Sequence, residues 1–322
     1  MMTQHLISGL HHVTALASGP QENVNFYAGI LGLRLVKKTV NFDAPDVYHL
    51  YYGDEQGSPG SIMTFFPFQG IRPGRAGAGQ TAATAFSIPK DAVDYWLKRL
   101  AHFQVRHLPP QARFDEIVIA FQDHDGLRLE LVANDGDQRP PFSYGQIPLE
   151  HAIRGFYSVE LWESAFERTE ALLAQQLGYR FVREDGQRRR YAAGPLQAGQ
   201  YLDIRWGEGL PRGSGGGGTV HHIAFDTPSD ESQLAVREQI RAAGFSPTPV
   251  LDRQYFHSIY FREPGGVLFE VATTPPGFSL DEAPAQLGTA LKLPPWEEHR
   301  RAYIEGLLAP ITLNPEKYES AA

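Results

Sequence analysis

Two histidine pairs are the residues most able to do chemistry: His11-His12 followed by Val13, and His221-His222 followed by Ile223. Neutral imidazole is the commonest metal-ligating side chain, and carboxylates are its usual companions in the ligand set. The 322 residues include no cysteine, which excludes disulfides, thiolate nucleophiles, Cys-ligated zinc and iron–sulfur clusters. Any metal must therefore be held by His, Asp or Glu, and twelve histidines are available. One His-His pair alone reads best as packed strand residues; its recurrence at a distance calls for a ligand reading. The balance of 29 Lys+Arg against 37 Asp+Glu, a formal −8, argues against nucleic acid or an anionic membrane as partner.

The elements that must position these residues repeat along the chain. GLHHVTAL reads as a strand and QENVNFYAGILGL as a helix with Val24, Tyr27, Ile30 and Leu31 at helical spacing. Three strand-like runs follow. The same order returns from TVHHIAFDT to GVLFEVAT, and two fainter copies lie between. The expected architecture is α+β: four βαβββ modules at 8–68, 81–134, 152–206 and 219–274, paired so that each pair forms a curved mixed sheet around a cleft. The Gly/Pro-rich connections GIRPGRAGAGQ, NDGDQRPP and GLPRGSGGGG separate them. This divides the chain into an N-terminal domain, 1–145, and a C-terminal domain, 146–322. The latter ends in an extension, 275–322, with a helix expected from the Pro-Pro before Trp296.

Aligning the modules puts His12, Ala83, Tyr157 and His222 at one first-strand position, and Thr64, Glu130, Asp203 and Glu270 at one last-strand position. If the first module packs on the fourth, one cleft receives His12, His222 and Glu270, with Thr64 at the fourth corner. Two imidazoles and one carboxylate on one face of a metal leave positions open for substrate and O2, as in the facial triad of non-haem Fe(II) oxygenases. Pairing the first with the second would leave one His and one carboxylate per cleft, so the chemistry favours the first arrangement. Glu130 and Asp203 read as leftover or surface carboxylates. Strand alternation puts Thr14 on the face of His12 and puts His11 and His221 on the opposite face, unless the strand ends or twists there. His257 should point away from Tyr260.

The chain resembles the vicinal-oxygen-chelate (glyoxalase/bleomycin resistance/extradiol dioxygenase) superfamily up to about residue 275. The stretch Ile259 to Glu270, with Tyr260 and the turn Glu263-Pro264-Gly265-Gly266 before Glu270, fits the second half of the extradiol signature. Arg253 stands where that signature has a His. With the two His-His motifs, this looks most like the hydroquinone-type ring-cleaving dioxygenases.

The resemblance implies a non-haem Fe(II) dioxygenase, with Mn(II) able to use the same ligands, cleaving a catechol or hydroquinone with O2 as co-substrate. It implies His12, His222 and Glu270 as metal ligands. Around them it implies Tyr260, with His221 or His11, as proton donors, Arg253 as a fixed charge on the substrate, and Thr14, Arg253 and Tyr260 as substrate contacts. On residue type alone, Tyr260 equally suits an ordinary strand aromatic and Arg253 a solvated loop. A glyoxalase I-type isomerase is the competing enzyme reading, weakened by Thr64 at the fourth corner; a metal-free small-molecule-binding resistance protein is the other. The expected partner is a small aromatic molecule, with no nucleic acid and no membrane. Exposed sheet edges and the C-terminal arm permit a homo-oligomer. The start MMTQHLISGLHH has no signal-peptide pattern and no apolar run approaches ~20 residues, so a soluble, cytoplasmic protein is expected.

Overall fold

Alternating apolar strands, an amphipathic helix and Gly-rich turns recur four times, and each recurrence folds the same way in the computed structural model, which describes residues 6–319. The first module comprises β1 (Gly9–Ala17), α1 (Pro20–Val24) running into a π-helical turn (Asn25–Ile30), β2 (Arg34–Asn41), β3 (Ala44–Gly53) and β4 (Ile62–Pro67). The second has β5 (Gln80–Ile88), α2 (Val93–His102), β6 (Gln111–Arg113), β7 (Glu116–Gln122) and β8 (Arg128–Ala133). The third has β9 (Phe156–Glu163), α3 (Glu167–Gln175), β10 (Tyr179–Asp185), β11 (Arg188–Ala193) and β12 (Tyr201–Trp206). The fourth has β13 (Thr219–Thr227), α4 (Asp230–Ala242), β14 (Leu251–Asp252), β15 (Phe256–Arg262) and β16 (Leu268–Pro276).

Helix α4 shows the local logic. Ser229 caps its N-terminus by accepting from the Ser232 amide, Asp230 and Glu231 oppose the helix dipole, and Gln233, Val236 and Ile240 are buried on one side. Gly244, at φ 88°, ends it.

The strands form two curved eight-stranded mixed sheets, ordered β14-β15-β16-β13-β1-β4-β3-β2 and β10-β11-β12-β9-β5-β8-β7-β6. The first module thus pairs with the fourth, through antiparallel β1 and β13, and the second with the third, through β5 and β9. Each sheet takes one module from residues 1–145 and one from 146–322. The main apolar core packs the helices and sheets together, with Tyr27, Trp96, Leu173 and Ile240 fully buried.

The second sheet departs from its expected reading. Glu130 and Asp203 are buried, not on the surface. Arg113 grips Glu130 through two bonds of 2.5 and 2.6 Å, and Arg190 grips Asp203 through two of 2.7 and 2.8 Å. Buried carboxylates need a cation, and here arginine supplies it. The third module is also one residue out of step. Thr64, Glu130 and Glu270 each pair with the residue two beyond the first-strand position, whereas Asp203 pairs with Glu160, making Ser158 and not Tyr157 the equivalent of His222.

The extension helix is α5 (Arg301–Leu307), later than the Pro-Pro start expected, because a turn at Pro294–Glu297 and a 3-10 turn at Glu298–Arg300 intervene. The extension covers edge strand β2. Lys37, wholly buried, bonds Asp281 at 2.6 Å and Glu282, and lies over the Tyr255 ring. At Gly288 (φ 75°) a side chain would strike the Leu35 carbonyl. Residues 1–5 and 320–322, the start of the segment read for a leader and the end of the extension, lie outside the described residues. No described helix is long and apolar enough to cross a membrane.

Candidate metal centre

His12 on β1, His222 on β13 and Glu270 on β16 converge on the inner face of the first sheet, all buried. His12 Nε2 lies 3.3 Å from His222 Nε2 and 3.2 Å from Glu270 Oε2, and His222 Nε2 lies 2.9 Å from Glu270 Oε2. Ligands at right angles on metal bonds of about 2.1 Å would stand roughly 3.0 Å apart, and on a tetrahedral centre roughly 3.4 Å. The three edges span both spacings, so the triangle is the size of one face of a single metal ion's coordination sphere. Glu270 Oε2 is buried and faces only the two imidazole Nε2 atoms, whereas Oε1 accepts from Ser258 Oγ. Burial would raise the Glu270 carboxyl, yet His12 and His222 draw it well below the usual carboxylate range. An ionised carboxylate oxygen, buried between two imidazole nitrogens, makes a donor set that fits a divalent cation.

The leading histidines are brought in by the backbone. The β1–β13 register slips between Leu10 and His12 and again between Thr14 and Ala15, so His11 and His221 are the extra residues of two bulges. Bulges re-aim side chains, and here they override strict alternation. His11 Nδ1 lies 2.9 Å from His12 Nδ1, and His221 Nδ1 lies 2.7 Å from His222 Nδ1. Burial, followed by the neighbouring His12, pushes His11 down to about 3; burial and His222 push His221 to about 4, so both stay neutral. The Nδ1–Nδ1 contact takes one hydrogen, and metal ligation through Nε2 would put it on His12, with the His11 Nδ1 lone pair accepting. That tautomer gives His12 a bare Nε2 facing the triangle, the arrangement an outer-shell partner imposes on a metal-ligating histidine.

A cavity of about 460 Å3 opens over the triangle. Phe42, Phe66, Phe68, Leu251, Phe256 and Leu268 give it an apolar lining, with polar groups from His49, Tyr51, His221, Arg253 and Tyr260. Arg253 Nε donates to Tyr260 Oη at 3.3 Å while its Nη1 reaches Asp43. Burial and Glu270 raise the Tyr260 phenol, so it keeps its proton. Thr14 shares the inner face but is not in the lining: its hydroxyl lies 3.0 Å from that of Thr64. His11 lies behind His12 against Phe256. His257 points away, 2.6 Å from Asp230.

Three residues escaped the sequence reading. Ser258 shares strand parity with Tyr260, a signal that could have found it. His49 and Tyr51 share parity on β3, and Tyr51 pairs directly with Thr64.

The profile of the glyoxalase/bleomycin resistance protein/dioxygenase superfamily matches residues 9–131 and 159–271. The chain belongs to that superfamily. MhqO of Bacillus subtilis (strain 168), which carries a provisional ring-cleaving dioxygenase name, is 44% identical over 93% of this chain and 96% of its own. The chlorohydroquinone/hydroquinone 1,2-dioxygenase of Sphingobium indicum is 36% identical over 92% of this chain and 94% of its own. A Bacillus subtilis crystal structure with a provisional dioxygenase title superposes with a TM-score of 0.92 at 43% identity, covering 96% of this chain and 98% of that one. Zea mays glyoxalase I, at 16% identity and TM-score 0.63 over 83% of this chain and 92% of its own, shares the superfamily fold. The relatives' names support a dioxygenase.

Proposed function

We propose that this superfamily member is an Fe(II)-dependent, extradiol-type ring-cleaving dioxygenase that incorporates O2 into a hydroquinone or catechol. The observation that carries the reading is the buried His12–His222–Glu270 triangle beneath an aromatic-lined cavity. These three residues would hold the metal; Mn(II) could use the same donors. Bound Fe(II) would supply a Lewis acid for the substrate hydroxyl and the electron-transfer chemistry that O2 requires.

The chain's own groups do the rest. The aromatic walls sandwich a planar ring and exclude water. Tyr260 Oη accepts from Arg253, so its proton is free to reach an oxygen in the cavity. Arg253 brings a fixed positive charge beside that proton, suited to a substrate phenolate or carboxylate. His221, neutral and lining the same cavity, is a second site for proton exchange. His11 and Thr14 act from behind the lining, by orienting His12 and by bonding Thr64.

The test is an oxygen-electrode screen of hydroquinones and catechols after anaerobic Fe(II) loading. O2 uptake with ring-opened product is expected, and its absence across both diol series overturns the reading. Isomerase activity on a hemithioacetal without O2 uptake would favour the glyoxalase I-type alternative.

A further inference from the structure

Edge strand β2 carries two successive lysines that meet opposite surroundings. Lys37 takes Asp281 and Glu282 of the extension as its counter-ions. Glu282 is then fully engaged, because it also accepts from the Gly288 and Ala290 amides at 3.3 and 3.4 Å. Lys38 forms no ion pair and no side-chain hydrogen bond among the described residues. It lines a cavity of about 400 Å3 on the side of β2 that the extension covers. Arg34, buried, is the other cation of that lining; its guanidinium donates to the Glu55 and Pro284 backbone carbonyls and forms no ion pair among the described residues. No carboxylate stands among the described residues that line the cavity. The space thus holds two positive charges and no negative one.

A cation removed from water without a counter-ion is costly. Burial holds the Lys38 ammonium below its usual value, with Glu282 opposing the shift, and an anion beside it would reverse the fall. The same lining supplies a neutral donor. The Leu35 amide donates to Tyr144 Oη at 2.8 Å, so the phenol's own hydrogen is not spent on that bond. Burial pushes Tyr144 up to about 12, and it keeps this hydrogen at neutral pH. The remaining walls are mostly apolar, with Val24 and Leu35 on the body facing Leu287, Ile311 and Leu313 of the extension. An inorganic anion would leave those walls bare, and a neutral apolar molecule would leave Lys38 unpaired. Both demands are met by one molecule with an anionic head and an apolar body.

We infer that this cavity is a second ligand site, which takes a small organic carboxylate: Lys38 and Tyr144 bind the anion, and Leu35, Leu287 and Ile311 cover the apolar body. Arg34 adds a fixed positive charge behind the anion. The site does not depend on the ring-cleavage reading, because none of its lining residues lines the metal cavity. Its walls come from both β2 and the extension, so a bound carboxylate ties the two together. Occupancy therefore stabilises the docked extension and slows proteolysis there.

The experiment is calorimetric titration of the full chain with benzoate and octanoate, against benzyl alcohol and inorganic phosphate, joined to limited proteolysis of the extension. At least one carboxylate is expected to bind about tenfold more tightly than the alcohol or phosphate, and to slow cleavage of the extension. Lys38→Met should weaken that carboxylate about tenfold and remove the protection, whereas Lys38→Arg, which keeps the charge, should restore most of both. Arg253→Met removes the cation of the metal cavity and should leave the affinity within about twofold. Several results overturn the assignment: no binding of either carboxylate, phosphate or alcohol bound as tightly, an affinity untouched by Lys38→Met, or cleavage of the extension unchanged by the bound acid. Binding lost in Arg253→Met and kept in Lys38→Met overturns it too, by placing the carboxylate in the metal cavity.

Discussion

Glu163, at the end of β9, is wholly buried, and neither carboxyl oxygen has a hydrogen-bond partner. It faces Glu263, which accepts from Thr169 Oγ1 at 2.6 Å and from the Gly265 and Val267 amides at 2.7 Å each. Three donors make Glu263 the anion of the pair. Burial and that neighbouring charge push Glu163 up to about 9, so it holds a proton at neutral pH. A carboxyl raised on folding binds an extra proton in the native state. Its stabilising contribution is fully present below the unfolded value near 4.5 and is lost as pH rises through the folded value. Within that window the loss is about 1.4 kcal/mol per pH unit, or about 3 kcal/mol between pH 5.5 and 7.5. Glu163→Gln keeps the shape and removes the titration. Urea unfolding of both proteins at pH 5.5, 6.5 and 7.5, followed by tryptophan fluorescence, should show the variant gaining on the wild type by roughly that amount. His11 and His221, depressed on folding, slope the other way, but they are common to both proteins and cancel in the difference. A difference constant across the three pH values, or one that shrinks as pH rises, would refute the protonated-Glu163 argument.

Other consequences follow from the same packing. Lys37→Met leaves Asp281 and Glu282 without their buried cation and should cost about 3–5 kcal/mol in urea unfolding, detaching the extension from β2 so that proteolysis there is faster; unchanged stability and proteolysis would contradict the clamp. Arg190→Met strands Asp203 and Glu116 in the second sheet at a similar cost, while bound metal per folded chain stays at the wild-type level; a loss of metal would show that this cleft is not purely structural. Ser258→Ala frees the second oxygen of Glu270 to rotate and should weaken metal affinity about 10–100-fold in a chelator competition, whereas an affinity within threefold would remove Ser258 from the site.

How much of this was legible in the sequence depended on whether local rules held. The module order and the first-with-fourth pairing could be read because turns such as Glu263–Gly266 punctuate short strands, and because only one pairing gathers two histidines and a carboxylate. Strand parity placed Thr14 correctly on the inner face. For His11 and His221 it held only for a regular strand, and the bulges that break the regularity insert one residue without any composition signal at that position. Glu130 and Asp203 were misjudged because their partners, Arg113 and Arg190, lie on other strands and only the folded register brings them close. Ser258, His49 and Tyr51 were missed because serines, histidines and tyrosines in strands are common; what distinguishes them is convergence across a curved sheet, which parity along one strand does not reveal. The late start of α5 reflects a turn after the Pro-Pro pair that propensity alone does not separate from a first helical turn.

The central claim is that His12, His222 and Glu270 bind one divalent metal at an oxygen-dependent site. Anaerobic Fe(II) titration with metal analysis of the wild type, His12→Ala and Glu270→Gln, each checked for folding, tests it most directly. The account predicts one iron per wild-type chain and almost none in either variant, with O2 uptake lost in parallel. Folded variants that retain a full complement of iron would contradict it.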